Sequence, residues 1–498
     1  MVEADLIIEQ KYETKSYSCK ECGSIIKSND KPEKCPVCDG VKFTLLNINQ
    51  IDVKLRVLSL FQRKQFGEGT EILVDTIKSF FNIYTTKVDK AQEIYIYKEG
   101  IYLPEGESEI KQFLRVVLEE NYSEWVASQV ISKIKTDTFI EPEVFFKEGK
   151  IFEVAVKNGI LDLQNATLRE FSPQDIFFSK MPVNFNISCE CNKIDTFLSE
   201  VLSSEEDKNV FYEIAGFGLI KEYIFERAFM LVGNGRNGKS KSIELLKYLV
   251  GNNNCSSIPL SSLSSESPFL CGLWKKYFNL SGDLSSSDLK ETGTFKLLTG
   301  RDYVSANRKY KNFIEFKNYA KLVFACNELP RVYDYSDGFW DRWILLEFPY
   351  KFVDKEEYDN SKDKSKLKIK NPNIIDEITT EKELSGFLNQ ALLGLNRLLN
   401  NKRFSYSIGT AEVKNKWIRR SDSFMAFCMD CIDEDCNSKI SKKELRLKYK
   451  DFCSKHKIKS LSDKSILITL QELFGVYDSK VYNGINQEYV WEGIKWKN

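Results

Sequence analysis

Histidine is almost missing from this sequence: His456 is the only one among 498 residues. That excludes any site needing two imidazoles, including zinc hydrolases with paired histidines and two-histidine metal triads. Net charge is missing too, since 72 Lys and Arg balance 72 Asp and Glu. Attraction of the whole molecule to nucleic acid or anionic lipid is therefore excluded, and any basic patch must be local. Proline and glycine are sparse, at 11 and 25, which argues against a fibrous or largely disordered chain. No apolar run approaches the roughly 18 residues that a membrane span needs. The first five residues carry acids and no apolar segment, so no secretory signal is expected. What remains, 42% apolar and 29% charged residues, predicts a soluble, intracellular chain of three or four domains with no membrane partner.

Thirteen cysteines without an export signal point to thiols and metal, not disulfides. Cys19 and Cys22 form one C-x-x-C pair, Cys35 and Cys38 a second, with twelve residues between the pairs. Four thiolates at this spacing fit a tetrahedral structural Zn²⁺ site, a zinc ribbon over residues 1–48; four unliganded thiols are the alternative. Such a module is too small to fold on its own core, so the metal would provide much of its stability. Elsewhere Cys189, Cys191, Cys255, Cys271, Cys326, Cys428, Cys431, Cys436 and Cys453 read as reduced core thiols, with a second metal on Cys189 and Cys191 or on Cys428, Cys431 and Cys436, near Cys453 and His456, as the alternative.

The strongest motif is Gly233-Asn234-Gly235-Arg236-Asn237-Gly238-Lys239-Ser240, which fits G-x-x-x-x-G-K-[ST]. A buried-strand run, 228–232, precedes it, and an apolar helix pattern, 242–250, follows it and stops at Gly251. Glycines let the backbone turn its N–H groups toward phosphate oxygens at a helix N-terminus. Lys239 would reach the β- and γ-phosphates of ATP, and Ser240 would hold Mg²⁺. Asp283, ending a strand interrupted by Asn279 and Ser281, is the candidate metal-orienting acid, with a turn acid as the alternative. Glu291 is a candidate base from a loop. Asn327, ending the run 321–326, could orient an attacking water without carrying charge. Arg342, in the aromatic setting of Phe339, Trp340 and Trp343, is a candidate arginine finger acting on the neighbouring subunit's ATP. An ion pair with Asp341 or Glu347 is the alternative.

Around these motifs the chain divides into residues 1–48, an α+β unit at 49–200, an α/β core at 201–420 and a small domain at 421–498. The core alternates helix, strand, loop and helix, as a parallel α/β sheet requires. Residues 353–373 are polar and read as a surface loop, and 384–399 repeats leucine at helical spacing before Asn400 and Asn401. The last 75 or so residues read as three helices followed by a ribbon, a winged helix-turn-helix pattern, the second helix starting at a capping box, Ser441 to Glu444. From 439 to 464 there are ten Lys or Arg against three Asp or Glu, a local excess that suits DNA, although a solvated helix face or an interaction module fits as well.

The order of motifs resembles the superfamily 3 helicases, and more closely the helicase half of the phage, plasmid and poxvirus primase-helicase family. The residues carrying it are Gly233 to Ser240, Phe295-Lys-Leu-Leu-Thr-Gly-Arg-Asp302, Arg308-Lys-Tyr-Lys311, Ala325-Cys-Asn327 and Phe339-Trp-Asp-Arg342. Residues 158–163, 181–185 and 214–219 look like its pre-helicase domain, and 384–395 like its post-core helix. The resemblance implies a P-loop, AAA+-like core assembled as a homo-hexameric ring around single-stranded or forked DNA, translocating 3′→5′. It implies that Arg308, Lys309 and Lys311 form a hairpin tip gripping phosphates in the channel. Clustered cations with an aromatic suit such binding. Two departures stand out. Nothing before residue 456 is a histidine, so the usual primase site cannot be present and priming is expected from a separate protein. Asp341 stands where relatives often have a basic residue. The expectation is an ATP-dependent DNA helicase for replication of a virus, plasmid or other mobile element, in the cytoplasm of a prokaryote or a virus-infected cell. A packaging or remodelling ATPase, or an ATP-switched DNA-binding regulator, are the alternatives.

Overall fold

A computed structural model describes residues 15–19, 25–28, 33–36, 43–45, 50–88, 92–147, 150–263, 268–282, 289, 291–306, 314–334, 336–456, 460–482 and 487–497. Its centre is a five-stranded sheet of β1 (Ala228–Val232), β2 (Cys255–Ser256), β3 (Phe278–Ser281), β4 (Lys321–Cys326) and β5 (Trp343–Glu347). The strands lie in the order β2-β3-β4-β1-β5 and every pairing is parallel. All-parallel sheets are covered on both faces, so their strands are apolar throughout. Every residue of β1 and β4 is buried. Phe229 and Leu231 of β1 enter one hydrophobic cluster, and Ala228, Met230 and Val232 enter another on the opposite face.

The polar residues that interrupt β3 have structural work. Asn279 is fully buried; its Oδ1 accepts from Ser256 Oγ (2.9 Å) and Ile258 N (2.8 Å), and its Nδ2 donates to Ile258 O (2.9 Å). The amide stitches the edge strand β2 to β3, which a run of valines would not do. Lys321, opening β4, is buried as well. Its ammonium donates to Ile220 O (2.5 Å) and Glu222 O (3.0 Å), just beyond the helix Glu205–Leu219, and to Tyr319 O (2.8 Å), and burial holds its pKa well below the usual lysine value.

The helix Glu205–Leu219 packs against Glu381–Asn401, which starts on a Thr380 cap. This is the leucine-periodic helix, and it ends at the two asparagines as expected. The contact is glycine-close: a Cβ on Gly216 would lie 2.2 Å from Ala391 O, and one on Gly394 would lie 2.7 Å from Tyr212 O. Beside it the buried carboxylate of Glu213 accepts from Arg397 Nε (2.6 Å) and Ser405 N (2.8 Å).

Residues 50–147 form helices around a four-stranded sheet with its own cluster of buried residues, among them Val57, Leu73, Ile96 and Ile134. The three-stranded sheet of Glu153–Val156, Gly159–Asp162 and Thr167–Arg169 instead shares a core with the main sheet, since Val154 and Leu161 cluster with Phe229. Near the N-terminus, Lys15–Cys19 pairs antiparallel with both Ile25–Ser28 and Phe43–Leu45. At the other end the order is helix Ser423–Cys431, strand Ile432–Ser441, helices Lys442–His456 and Asp463–Phe474, and strands Tyr477–Tyr482 and Gln487–Trp496.

Two polar segments differ from expectation. Residues 353–373 are not a plain loop, because Lys351–Val353 pairs in parallel with Leu367–Ile369 around a helix, Lys355–Asn360. Ile432–Ser441 is a strand although seven of its ten residues are polar; the partner Gln487–Trp496 imposes it, with an irregularity between Asp435 and Lys439. The capping-box expectation is met only at 3.5 Å, from Glu444 N to Ser441 Oγ. No described helix is long and apolar enough to cross a membrane.

Alanine normally stabilises a helix relative to glycine by up to about 1 kcal/mol. Gly293→Ala, where a Cβ meets nothing within 4 Å, is expected to be neutral or stabilising in urea titration. Gly216→Ala is expected to reverse that sign and destabilise by about 1–3 kcal/mol, as overpacking does.

Candidate nucleotide site

The loop 233–238 leaves the carboxyl edge of β1 and enters the helix Lys239–Val250. Its glycines are needed at two points. A Cβ on Gly233 would lie 2.0 Å from Asn237 Nδ2 and 2.5 Å from Phe348 O, and Gly238 has φ +95° with Val201 2.5 Å from where a Cβ would be. Arg236 also takes a positive φ, +59°. Asn234, Gly235, Arg236 and Ser240 are exposed, whereas Asn237 and Lys239 are buried. Asn237 Nδ2 donates to Phe348 O (3.2 Å), tying the loop to the chain leaving β5.

Lys239 is the hub. Its ammonium donates to Gly233 O, to Asn237 Oδ1 (3.0 Å) and to Asn327 Oδ1 (3.0 Å). Asn327 is exposed, directly after β4, the parallel neighbour of β1. Two motifs 88 residues apart thus meet at one sheet edge. Sequence reasoning missed the cover over this loop. Phe352 N donates to Arg236 O (2.7 Å), and Glu357 pairs with both Arg236 (3.5 Å) and Lys351 (2.7 Å). The hydrogen bond from Lys351 holds the Glu357 carboxyl below its ordinary range. The only available signal was the density of charge in a stretch that also reads as a loop.

Arg342 lies at the opposite edge, just before β5, and its carbonyl accepts from Ala228 N at the start of β1 (2.6 Å). Its guanidinium donates to Thr299 Oγ1 (2.8 Å), Glu226 Oε2 (2.6 Å) and Gly338 O. The ion-pair partner is Glu226, not Asp341 or Glu347. Asp341 accepts from Thr410, and Glu347 pairs with Arg420 (3.0 Å). Phe295 stacks on Trp343 at 4.8 Å beneath this arginine's segment.

The remaining expected site residues divide by where they fall. Asp283, Arg308, Lys309, Lys311, Cys22 and Cys38 lie outside the described residues. Cys19 closes the strand Lys15–Cys19, and Cys35 is buried. Glu291 is exposed, two residues before the helix Gly293–Thr299. Among the described residues no group of three or more His, Cys, Asp and Glu is arranged to hold a metal. Of the cysteines expected in cores, Cys191, Cys326, Cys428 and Cys453 are buried, Cys189, Cys255, Cys271 and Cys431 are half-buried, and Cys436 is exposed. In the basic stretch, Lys448 pairs with Glu444 (3.2 Å) and Arg446 with Asp463 (3.1 Å), both inside the stretch, and only the pair of Lys442 with Asp478 (2.6 Å) draws on an acid outside it.

Two family models match. One, described as "Family of unknown function (DUF5906)", covers residues 231–342, and "D5 N terminal like" covers 68–203. The chain is similar to "Putative helicase L207/L206" of Acanthamoeba polyphaga mimivirus, 27% identical over 59% of this chain and 29% of that protein. "Putative helicase 121R" of Invertebrate iridescent virus 3 is 23% identical over 69% of this chain and 39% of its own. The chain thus spans well under half the length of these relatives. Among solved structures, the NrS-1 C-terminal region aligns with 84% of this chain at 12% identity and a TM-score of 0.46. Residues 68–203 thus match a D5 N-terminal-like model, and the chain is similar to viral proteins named as putative helicases.

Cys326, at the end of β4, shows how closed this edge is: burial pushes its thiol up to about 12, against the opposing pull of Lys239 and Arg420. Only the thiolate alkylates, so at neutral pH iodoacetamide is expected to modify exposed Cys436 in the native protein and to spare Cys326. Peptide mass spectrometry reads this directly; equal labelling of both would mean that the sheet edge opens.

Proposed function

We propose that this protein is an ATP-dependent DNA helicase, a ring translocase serving replication of a virus, plasmid or other mobile element, with priming supplied by a separate protein. The observation that carries the proposal is the meeting of Lys239 and Asn327 at one sheet edge while Arg342 stands at the other. The loop suits a nucleoside triphosphate. Gly233 has no room for a side chain, Gly238 is left-handed, and the loop ends at a helix N-terminus. On binding, Lys239 would exchange its amide and carbonyl partners for the β- and γ-phosphates. Asn327 would then be free to orient the attacking water. Mg²⁺, held by Ser240 and Asp283, would neutralise charge developing on the phosphates.

Arg342 cannot serve the nucleotide of its own loop. β1 has five residues between the two edges, about 15 Å at ~3.3 Å per residue. A neighbouring copy in a homo-oligomer, as a hexameric ring provides, would bring the arginine to the phosphates. Arg308, Lys309 and Lys311 would grip single-stranded or forked DNA. Zn²⁺ on Cys19, Cys22, Cys35 and Cys38 would hold the N-terminal strands together, and the three helices and three strands after residue 422 would form a winged helix.

Lys239→Ala and Arg342→Ala are each expected to lower kcat by on the order of 10³. Mixed together they should regain part of the activity, because an Arg342→Ala loop can face an intact Arg342 on a Lys239→Ala copy. No recovery on mixing would reject a shared site. DNA-stimulated hydrolysis and unwinding of a forked duplex, both lost in Lys309→Ala/Lys311→Ala, would support the motor. Hydrolysis stimulated by DNA without strand separation would favour the packaging ATPase, and hydrolysis indifferent to DNA would favour the regulator.

A further inference from the structure

A cavity of about 790 Å³ opens at the amino edge of the main sheet, the edge away from the phosphate loop. One wall comes from Thr86, Val88, Glu93, Pro142 to Lys147 and Ile151, and the other from residues 221–223, 274–275 and 318–319, which precede β1, β3 and β4, and from the strands of a hairpin. The hairpin strands are Tyr303–Ala306 and Ile314–Lys317, with Tyr303 directly opposite Lys317. Nothing in the proposed mechanism uses this cleft.

Its chemistry is aromatic and cationic at close range. Tyr303 is 67% exposed, and Lys317 Nζ lies 5.0 Å from the ring centre. Trp274 and Phe146 meet edge to face at 5.4 Å, one from each wall of the cleft. Lys275 braces that pair, with its ammonium 4.4 Å from the Phe146 ring and 3.1 Å from that of Phe178. Lys147 is exposed on the opposite wall.

We propose that this cleft is a stacking site for single-stranded nucleic acid, in which a base lies on Tyr303 with Lys317 beside it. The inference rests on the helicase reading for its ligand and adds a second contact zone to it. A peptide is the poorer occupant, because the site offers flat rings beside cations and not an unpaired strand edge. Four glutamates, Glu93, Glu143, Glu222 and Glu315, also line the cleft. They oppose a phosphate-driven mode, so affinity here must come from base stacking, which is tolerant of sequence and weakly dependent on salt.

That distinction supplies the test. Full-length protein is titrated with a fluorescent single-stranded oligonucleotide at several salt concentrations, and an iodouracil-substituted strand is photocrosslinked and mapped. Tyr303→Ala is expected to weaken binding about ten-fold with the salt slope unchanged, and Tyr303→Phe to restore it. Lys309→Ala/Lys311→Ala should instead flatten the slope. Crosslinks should include Tyr303 or Trp274. Crosslinks confined to 308–311, with Tyr303→Ala binding like wild type, would overturn the cleft and leave the helicase reading standing. Absence of any single-strand binding by wild type would overturn both.

Discussion

The candidate site depends on one short strand. β1 is paired in parallel on both sides, and its register aligns Val232 with Cys326 and with Glu347. The three chain segments that leave the sheet there therefore leave together. The phosphate loop, Asn327 and Phe348 become neighbours without any of them being close in sequence. The same register places Ala228 opposite Trp343, so Arg342 is fixed at the far edge. Separation of the lysine and the arginine is thus a property of sheet pairing, not of flexible side chains. Any chemistry using both must join two copies.

The turn after β4 ties this edge to the end of the chain. Trp417 Nε1 donates to Pro330 O (2.8 Å), and Arg331 Nε pairs with Asp422 Oδ2 (2.8 Å) while its NH2 donates to Thr469 (2.8 Å). Asp422 is itself the buried cap of the helix Ser423–Cys431, accepting from Phe424 N and Met425 N at 3.0 Å. Breaking a buried pair of this kind leaves an unpaired charge, a strongly destabilising outcome. The C-terminal domain is consequently seated on the segment that follows Asn327.

Legibility from sequence followed the range of the interactions involved. The turn of the loop 233–238 was readable because its requirements are local: glycine where a Cβ would strike Phe348 or where φ is positive, then a lysine at a helix start. The leucine-periodic helix 381–401 was readable for the same reason. Ile432–Ser441 was not, since its strand character belongs to the partner strand. Nor was the cover over Arg236, because paired strands three residues long have no periodicity to detect. Asn279 and Ser281 made β3 look weak, yet the amide of Asn279 is what holds its neighbour. Glu226 as the partner of Arg342 required knowing that the start of β1 and the start of β5 adjoin.

Lysine shows where a chain of zero net charge spends its cations. Lys321 is spent on backbone carbonyls beyond a helix end, and Lys275 on aromatic rings where two parts of the chain meet. Lys208 bridges Asp195 (3.1 Å) and Glu205 (2.9 Å) on the helices beside the core. Each is neutralised or screened at a few ångströms and adds nothing to a long-range field. Lys239 differs in having oxygen partners that a phosphate can replace. Attraction of an anionic ligand to the loop would then be a matter of position, not of total charge.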